Sequence, residues 1–578
     1  MVAMYLTKTI VQRCSDLNCY ADISDFIHRL MTLRDAQGTA DYSLKNMLAP
    51  TSMKGIEAAV LLLDHALQAQ QNILIVGDFD ADGATSTALL YRCLRAFGFH
   101  HVNFLVPNRF EFGYGLTPEI VDLAASQSPD LIITVDNGIS SIDGVVAAKQ
   151  RGIKVLVTDH HLPGAILPDA DAIVNPNQPG CEFGSKNLAG VGVIFYVMMA
   201  LRAHLRDNSW FATQELLVPN MAQFLDLVAL GTVADVVPLD GNNRILVAQG
   251  IERIRAGASS AGILAMLKVA NRNAERIVAD DFGFAVGPRL NAAGRLDDMS
   301  IGIRCLLSDN WVEALGIAQE LDSLNQQRKA IESSMQVEAI RDLDNINLGD
   351  GAEAKNGICL FRDDWHQGVV GIVASRIKDR THRPTVAFSR VDDNELKGSG
   401  RSIPGVHLRD VLDEIATKNP GLLTKFGGHA MAAGMSLKES ALAEFSLEFD
   451  SVVGKYLTDD MREPLVHSDG SLDPHQLTLA YAEAIRQAGP WGQTFPEPQF
   501  DGLFRLVNYK RVGANHLKMM LSLGEFSEIV LDAIAFNVDE ALWPTQDTRM
   551  LRVVYKLDVN EYRGRQSLQL MVVYFELC

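Results

Sequence analysis

The sequence predicts a multidomain α/β protein. It has a parallel-sheet domain first, then a long connecting helix, a smaller α/β domain and a C-terminal β-barrel. Three observations carry this. Residues 55–300 alternate short, continuously apolar runs with helical patterns. Trp311 to about Ile346 holds one unbroken helical pattern. Five strand candidates separated by turns crowd residues 503–574. At 578 residues the chain far exceeds one hydrophobic core, so several domains follow.

In the first region, Ile73–Val76, Val102–Val106, Leu131–Val135, Val155–Val157 and Ala172–Val174 read as strands. They are apolar throughout rather than alternating, as suits a parallel sheet covered on both faces. Ala84–Phe97 reads as a helix with Leu89, Leu90 and Cys93 on one side. In the long helix, Ile317, Leu321, Leu324, Ile331 and Met335 form a stripe that Arg328 interrupts. That suits a connector between domains better than a coiled-coil zipper. Leu348–Gly357 reads as a linker, and 357–455 returns to α/β character with strands Ile358–Phe361 and Thr385–Phe388. The last strand candidates are Leu503–Val507, Leu517–Leu521, Glu528–Ala535, Leu551–Val559 and Leu568–Tyr574. Their number and spacing predict an OB-fold.

Net charge is −19, from 52 basic and 71 acidic residues, which argues against a surface that coats nucleic acid nonspecifically. It leaves room for a local basic groove. Seven scattered cysteines without a CxxC argue against a structural zinc or disulfide framework. No apolar run is long enough to span a bilayer, and the N-terminus lacks a signal-peptide core, so a cytoplasmic protein is expected.

Acidic and histidine residues gather at the expected strand ends. Gly77-Asp78-Phe-Asp80-Ala-Asp82-Gly follows the first strand, Asp136-Asn-Gly ends the third, and Asp159-His160-His161 ends the fourth. Asp226-Leu-Val-Ala-Leu-Gly-Thr-Val-Ala-Asp235 lies on a helical pattern. In open parallel sheets functional groups collect at carboxyl ends of strands. Carboxylates with one or two imidazoles and no thiolate suit Mn²⁺ or Mg²⁺. A metal pair needs a bridging carboxylate, and Asp136 is the candidate. Such a pair hydrolyses phosphate esters. Each piece also has a plain reading: the DxD as a helix cap, Asp136-Asn-Gly as a turn, Asp226 as a cap or ion-pair partner on its helix.

The ordered set GDFDADG, VDNG, TDHH and DLVALGTVAD resembles the DHH phosphoesterase superfamily, and within it the bacterial single-strand-specific 5′→3′ exonucleases. The resemblance continues through Gly287-Pro-Arg289-Leu-Asn291-Ala-Ala-Gly-Arg295, Gly398-Ser-Gly400-Arg401-Ser402 and Gly427-Gly-His429-Ala-Met-Ala-Ala-Gly434, and so spans nearly the whole chain. It implies Asp80, Asp82, Asp136, His160 and Asp226 as ligands of two divalent cations, Mn²⁺ or Mg²⁺. It implies His161 as a group orienting or protonating near the phosphate, and a second domain of DHHA1 type that grips substrate. Many relatives carry a histidine four residues before the first metal aspartate; here that position is Val76, and Asp78 is the candidate replacement. Asp235 ranks below Asp226 in this reading.

Arg401, Ser402 and His429 are the expected substrate contacts, with Arg109 and Arg289 as candidates for the terminal 5′ phosphate. On the barrel, Tyr509-Lys510-Arg511, Arg563 and Arg565 could stack bases and follow a phosphate backbone; edge-strand charges that prevent aggregation would look the same. The expected division is 1–54 as an N-terminal extension on the DHH domain, 55–305 as the DHH domain, 306–348 as the long helix, 349–460 as the DHHA1 domain and 461–578 as the OB-fold domain. The resemblance implies stepwise removal of 5′-mononucleotides from single-stranded DNA in recombination and mismatch repair, by a monomer working beside a helicase and single-strand-binding protein. Two other readings are a DHH phosphoesterase for small nucleotides (oligoribonucleotides or cyclic dinucleotides) and a non-catalytic scaffold of the same fold.

Overall fold

The computed structural model describes all residues except 1–7, 15–16, 18–21, 35–40, 109–111, 113–114, 344–354, 393, 514, 524–528, 539–542, 545–549 and 563. Arg109, Arg563 and most of the expected linker after the long helix therefore lie outside the described residues. Among the described residues, no helix is long and apolar enough to cross a membrane.

An N-terminal strand, β1 (Thr9–Gln12), is followed by the first sheet: β2 (Ile73–Gly77), β3 (Val102–Leu105), β4 (Leu131–Val135), β5 (Lys154–Thr158) and β6 (Ala172–Val174). All pairs are parallel, in the order β3-β2-β4-β5-β6. Side-chain alternation divides these apolar strands between two cores. Ile73, Ile75, Leu131, Ile133 and Leu156 face the larger core, while Leu74, Val76, Ile132, Val155 and Val157 face a smaller one under helices Pro118–Ala125 and Ile142–Gln150. Both faces are covered, which is why the runs carry no polar alternation.

The long helix runs Trp311–Leu343. Arg328 does not interrupt its buried stripe but lies within it. Arg328 donates to Glu332 at 2.6 Å and to the Asn325 carbonyl, and Glu332 also takes Arg376 at 2.9 Å. The charge is tolerated because its partners Asn325 and Glu332 lie one helical turn away on either side, and Arg376 of the neighbouring domain completes the pairing of Glu332. That domain holds β7 (Ile358–Phe361), β8 (Thr385–Arg390), β9 (Glu395–Arg401), β10 (Lys425–Gly428) and β11 (Ala432–Lys438), in the order β10-β11-β9-β8-β7.

A short strand, β12 (Leu465–Ser468), precedes the barrel strands β13 (Phe500–Val512), β14 (His516–Leu523), β15 (Val530–Ala535), β16 (Met550–Tyr562) and β17 (Arg565–Leu577). The barrel closes in the order β13-β14-β15-β17-β16 through β13–β16 pairing, and only β15–β17 is parallel. This is a five-stranded OB-fold, with strands longer than their apolar centres suggest. The N-terminal segment was expected on the DHH domain, and its second half does pack there: the Leu48 N–H donates to Asn242 Oδ1 at 3.2 Å and Gln249 Nε2 to the Tyr42 carbonyl at 3.0 Å. Its first half goes elsewhere: β1 pairs with β12, and Phe26 packs on Tyr481 and Phe500 of the C-terminal region. A strand of four residues finds its hydrogen bonds only beside another strand, and β12 supplies one.

Candidate metal centre

The chain enters β2, moves outward to β3, then returns to place β4 on the opposite side of β2. This reversal opens a crevice beyond the carboxyl ends of β2 and β4, where ligands bind in open α/β sheets. The acidic loops after β2, β4 and β5 all reach it.

After β2, Asp80 caps the helix Ala81–Phe97, accepting Asp82 N–H at 2.9 Å and Gly83 N–H at 3.0 Å. The helix therefore starts three residues before its apolar pattern does. Asp82 is buried and accepts Gly190 N–H at 2.5 Å and Val191 N–H at 3.0 Å from the next helix, Gly190–Asp207. After β4, Asp136 takes a left-handed backbone, φ +62°, which an Asp tolerates better than most residues. Asn137 Nδ2 bonds the Val76 and Val135 carbonyls and so ties the two strand ends together. Gly190 is required here, since a Cβ would lie 2.7 Å from that of Asp136.

After β5, Asp159 acts as a hub. It accepts the backbone N–H groups of Ile139, His160 and His161, and the His161 ring at 2.7 Å from Nδ1. His160 Nε2 turns inward, 3.1 Å from Asp136 and 3.5 Å from Asp235. Three groups of ligand atoms result, each with its atoms within 4.8 Å of one another: Asp78, Asp80 and Asp136; Asp136, His160 and His161; Asp82, His160 and Asp235. Asp136 and His160 each belong to two of them, and of the two only the carboxylate has a second ligand atom with which to bridge.

Burial and mutual repulsion make this cluster resist ionisation. Burial, then the Asp235 charge, raises Asp82 to about 7. Burial, then Asp80, raises Asp235 to about 8. Burial and then the carboxylates of Asp82, Asp80 and Asp78 push Asp136 well above the ordinary range. Burial, then His161, lowers His160. Burial also works against a charged His161, but the hydrogen bond and charge of Asp159 overcome it and lift His161 to about 9. A buried imidazole nitrogen, His160 Nε2, makes no hydrogen bond of normal geometry inside this ring of acids. Oxygen-rich donors with imidazole, and negative charge in excess, fit hard divalent cations, which would relieve the repulsion.

The DHH family, N-terminal domain model matches residues 72–232, the DHHA1 domain model 354–455 and the RecJ OB domain model 468–574. The single-stranded-DNA-specific exonuclease RecJ of Dickeya dadantii is 56% identical over 538 residues, 92% of each chain. That of Escherichia coli is 52% identical over 569 residues, 98% of each chain. The chain belongs to the RecJ family. Among solved structures, RecJ from Thermus thermophilus in complex with Mn²⁺ aligns with a TM-score of 0.77 at 28% identity, covering 95% of this chain and 76% of that one. Its Mg²⁺ complex aligns with a TM-score of 0.70.

Within this RecJ-family chain, the structure corrects one expected ligand. Asp226 lies in the first turn of the helix Leu225–Ala234, and its oxygens are taken by Leu227 N–H, Ser259 Oγ–H and Ser260 N–H, at 2.8, 2.9 and 2.9 Å. Asp235, at the C-cap of that helix, faces His160 instead. Nine residues of helix separate them by about 14 Å. Dipole preference could have marked the difference: an acid is at ease in a first turn and out of place at a C-terminus unless a cation offsets it. Val76 points into the smaller core, and Asp78 stands with Asp80 and Asp136.

In the second domain, the glycines of β9 prove to be packing positions. A Cβ at Gly398 would strike Phe388, and one at Gly400 would lie 2.8 Å from Leu408. The opposite face of the strand carries Ser399 and Arg401. Arg401 donates to Ser399 Oγ at 3.0 Å and to the Gly400 carbonyl at 2.8 Å, and burial lowers its pKa. Ser402 is not available as a contact: it is buried and its hydroxyl donates to the Val406 carbonyl at 2.7 Å. His429 meets the metal domain, its ring stacked 6.0 Å from that of His161. Gly427 and Gly434, paired on β10 and β11, have open space where a Cβ would stand. Arg289 is held by Asp322 on the long helix at 2.7 Å and by the Ala285 carbonyl. On the barrel, Lys510 and Arg565 are exposed, Tyr509 is half-buried, and Arg511 lies 5.0 Å over the Trp543 ring.

Proposed function

We propose that this protein is a metal-dependent, single-stranded-DNA-specific 5′→3′ exonuclease that hydrolyses phosphodiester bonds and releases 5′-mononucleotides. The observation that carries the reading is the convergence of Asp78, Asp80, Asp82, Asp136, His160 and Asp235 in one crevice that faces His429 of the second domain. Asp78, Asp80 and Asp136 would hold one divalent cation, and Asp82, His160 and Asp235 would hold the other, with Asp136 between them. When bound, Mn²⁺ or Mg²⁺ would activate the attacking water and stabilise charge on the phosphate.

The chain's own groups do the positioning. Asp159, lowered by its hydrogen bond to His161 despite burial, accepts the Nδ1 proton and sets the His161 ring. The His161 Nε2–H can then donate to a phosphate oxygen. Among the described residues no carboxylate pairs with Arg401, whose guanidinium lies beside Gly371 at the start of the helix Val370–Thr381. A half-buried guanidinium at the positive end of a helix suits a phosphate. His429 and the open backbone at Gly427 and Gly434 would border the strand's path. The exposed cations of the barrel would take the chain leaving the cleft.

The proposal extends to a cytoplasmic monomer acting in recombination and mismatch repair beside a helicase and single-strand-binding protein. The decisive assay compares a long, 5′-phosphorylated, end-labelled single strand with duplex DNA and with a dinucleotide, in Mn²⁺, Mg²⁺ and EDTA. Mononucleotides released from the 5′ end of the single strand, only with metal, are expected. Cleavage of the dinucleotide alone would overturn the reading.

A further inference from the structure

One helix of the metal domain carries contacts that the ligand set does not use. Gly287–Leu296, which holds the Gly-Pro-Arg-Leu-Asn run, lies behind the acidic loop after β2. Asn291 Oδ1 accepts the Ala81 N–H at 2.8 Å, between Asp80 and Asp82. The next two N–H groups of the helix Ala81–Phe97, those of Asp82 and Gly83, belong to the Asp80 carboxylate. Asn291 therefore takes the donor that Asp80 does not, and closes the first turn that carries both acids.

The same helix is fixed on three other sides. Gly294 abuts the Phe79 carbonyl so closely that no Cβ fits. At its start, Gly287 packs on Ala234, next to Asp235, where a Cβ would be 3.1 Å from the Ala234 Cβ. It follows a five-residue π-helical stretch, Phe282–Val286, a rare geometry that is frequent at functional sites. At its end, Arg295 Nη1 donates to the Gly368 carbonyl of the second domain at 3.1 Å.

We infer that Asn291 is a positioning residue of the metal centre, and that its helix transmits the seating of the second domain to Asp80 and Asp82. The inference rests on the metal-centre reading above. Loss of the Asn291 carbonyl frees the Ala81 N–H, and the capping turn can then rotate Asp80 away from the other ligands. Groups that orient ligands in this way typically change metal affinity by about 10–100-fold.

The test is a Mn²⁺ titration of the full chain, followed by the electron paramagnetic resonance of free Mn²⁺, with DNA turnover measured in parallel. Asn291→Ala should raise the Mn²⁺ dissociation constant about tenfold or more and lower kcat, with KM for single-stranded DNA within about twofold. Asn291→Asp retains an acceptor for Ala81 N–H and should bind Mn²⁺ at least as tightly as the wild type; it decides the matter if the alanine variant folds poorly. A lowered melting temperature with unaltered Mn²⁺ binding in Asn291→Ala would reduce the residue to a structural one and overturn the inference. Tenfold weaker binding in Asn291→Asp would do the same. Asp136→Ala serves as control: two Mn²⁺ ions bound as tightly as in the wild type would remove the metal-centre reading itself, whatever Asn291 does.

Discussion

The two ends of the helix Leu225–Ala234 each carry an aspartate, Asp226 buried and Asp235 half-buried, and they are opposites. At the first turn, Asp226 has backbone and serine donors on both oxygens. At the last, Asp235 faces His160 and is raised to about 8 by burial and by Asp80. The first acid is stabilised by the protein alone. The second is left in a charge environment that only a proton or a cation relieves. Local satisfaction thus separates a structural acid from a functional one more sharply than sequence spacing does.

The largest expected effect breaks the comparison at its functional end. Asp235→Ala should lower turnover by about 10³-fold or more, as should Asp136→Ala, because ligands of one cluster act as a unit. Rates within tenfold of wild type at saturating Mn²⁺ would exclude either residue from the centre.

Substrate grip should come next. Arg401→Ala removes a half-buried cation that, among the described residues, no carboxylate offsets. It should raise KM for 5′-phosphorylated single strands about 10–100-fold, consistent with about 1.5–3 kcal/mol for a charged hydrogen bond. Ser402→Ala, whose hydroxyl serves the Val406 carbonyl, should leave KM unchanged. Equal KM effects in the two variants would contradict the distinction.

The pH dependence of metal-induced stability sharpens the same contrast. Asp82 and Asp235 rise in the folded, metal-free protein from an ordinary 3.8 to about 7 and about 8. The folded state then holds protons that the unfolded chain releases above about pH 4. Their contribution to stability is fully present below the unfolded value and is lost as pH rises through about 7 to about 8. Mn²⁺ must displace those protons, so the rise in Tm on adding Mn²⁺ should grow between about pH 6 and about pH 8.5. A constant or shrinking rise, measured by calorimetry, would count against this coupling.

Smallest is the effect on function at the structural end. Asp226→Ala should cost about 1–3 kcal/mol of stability, since it strands buried donors, while kcat stays within about threefold. Denaturant titration and turnover measured on one preparation check both halves.

The architecture was legible because its signals are local. Apolar runs without alternation marked β2, β4 and β5 as strands buried on both faces, and the strand-end acids followed from where crevices form in such sheets. The long helix and barrel were legible from periodicity and strand spacing. What escaped the sequence depends on partners distant along the chain. Asp226 is answered by Ser259 and Ser260, more than thirty residues away. Arg328 reads as a break in an apolar stripe because the second cation that shares its partner Glu332 is Arg376, far along the chain. The β9 glycines suggest a phosphate loop, yet their space is filled by Phe388 and Leu408. β1 could not be placed from its four residues, since its partner β12 lies in the C-terminal region.

The most direct test of the account counts Mn²⁺ ions bound by the wild type, Asp226→Ala and Asp235→Ala at neutral pH, by equilibrium titration with free Mn²⁺ monitored. Two bound ions are expected in the wild type and in Asp226→Ala, and fewer than two, at the same free concentration, in Asp235→Ala. Loss of an ion in Asp226→Ala with both retained in Asp235→Ala would contradict it.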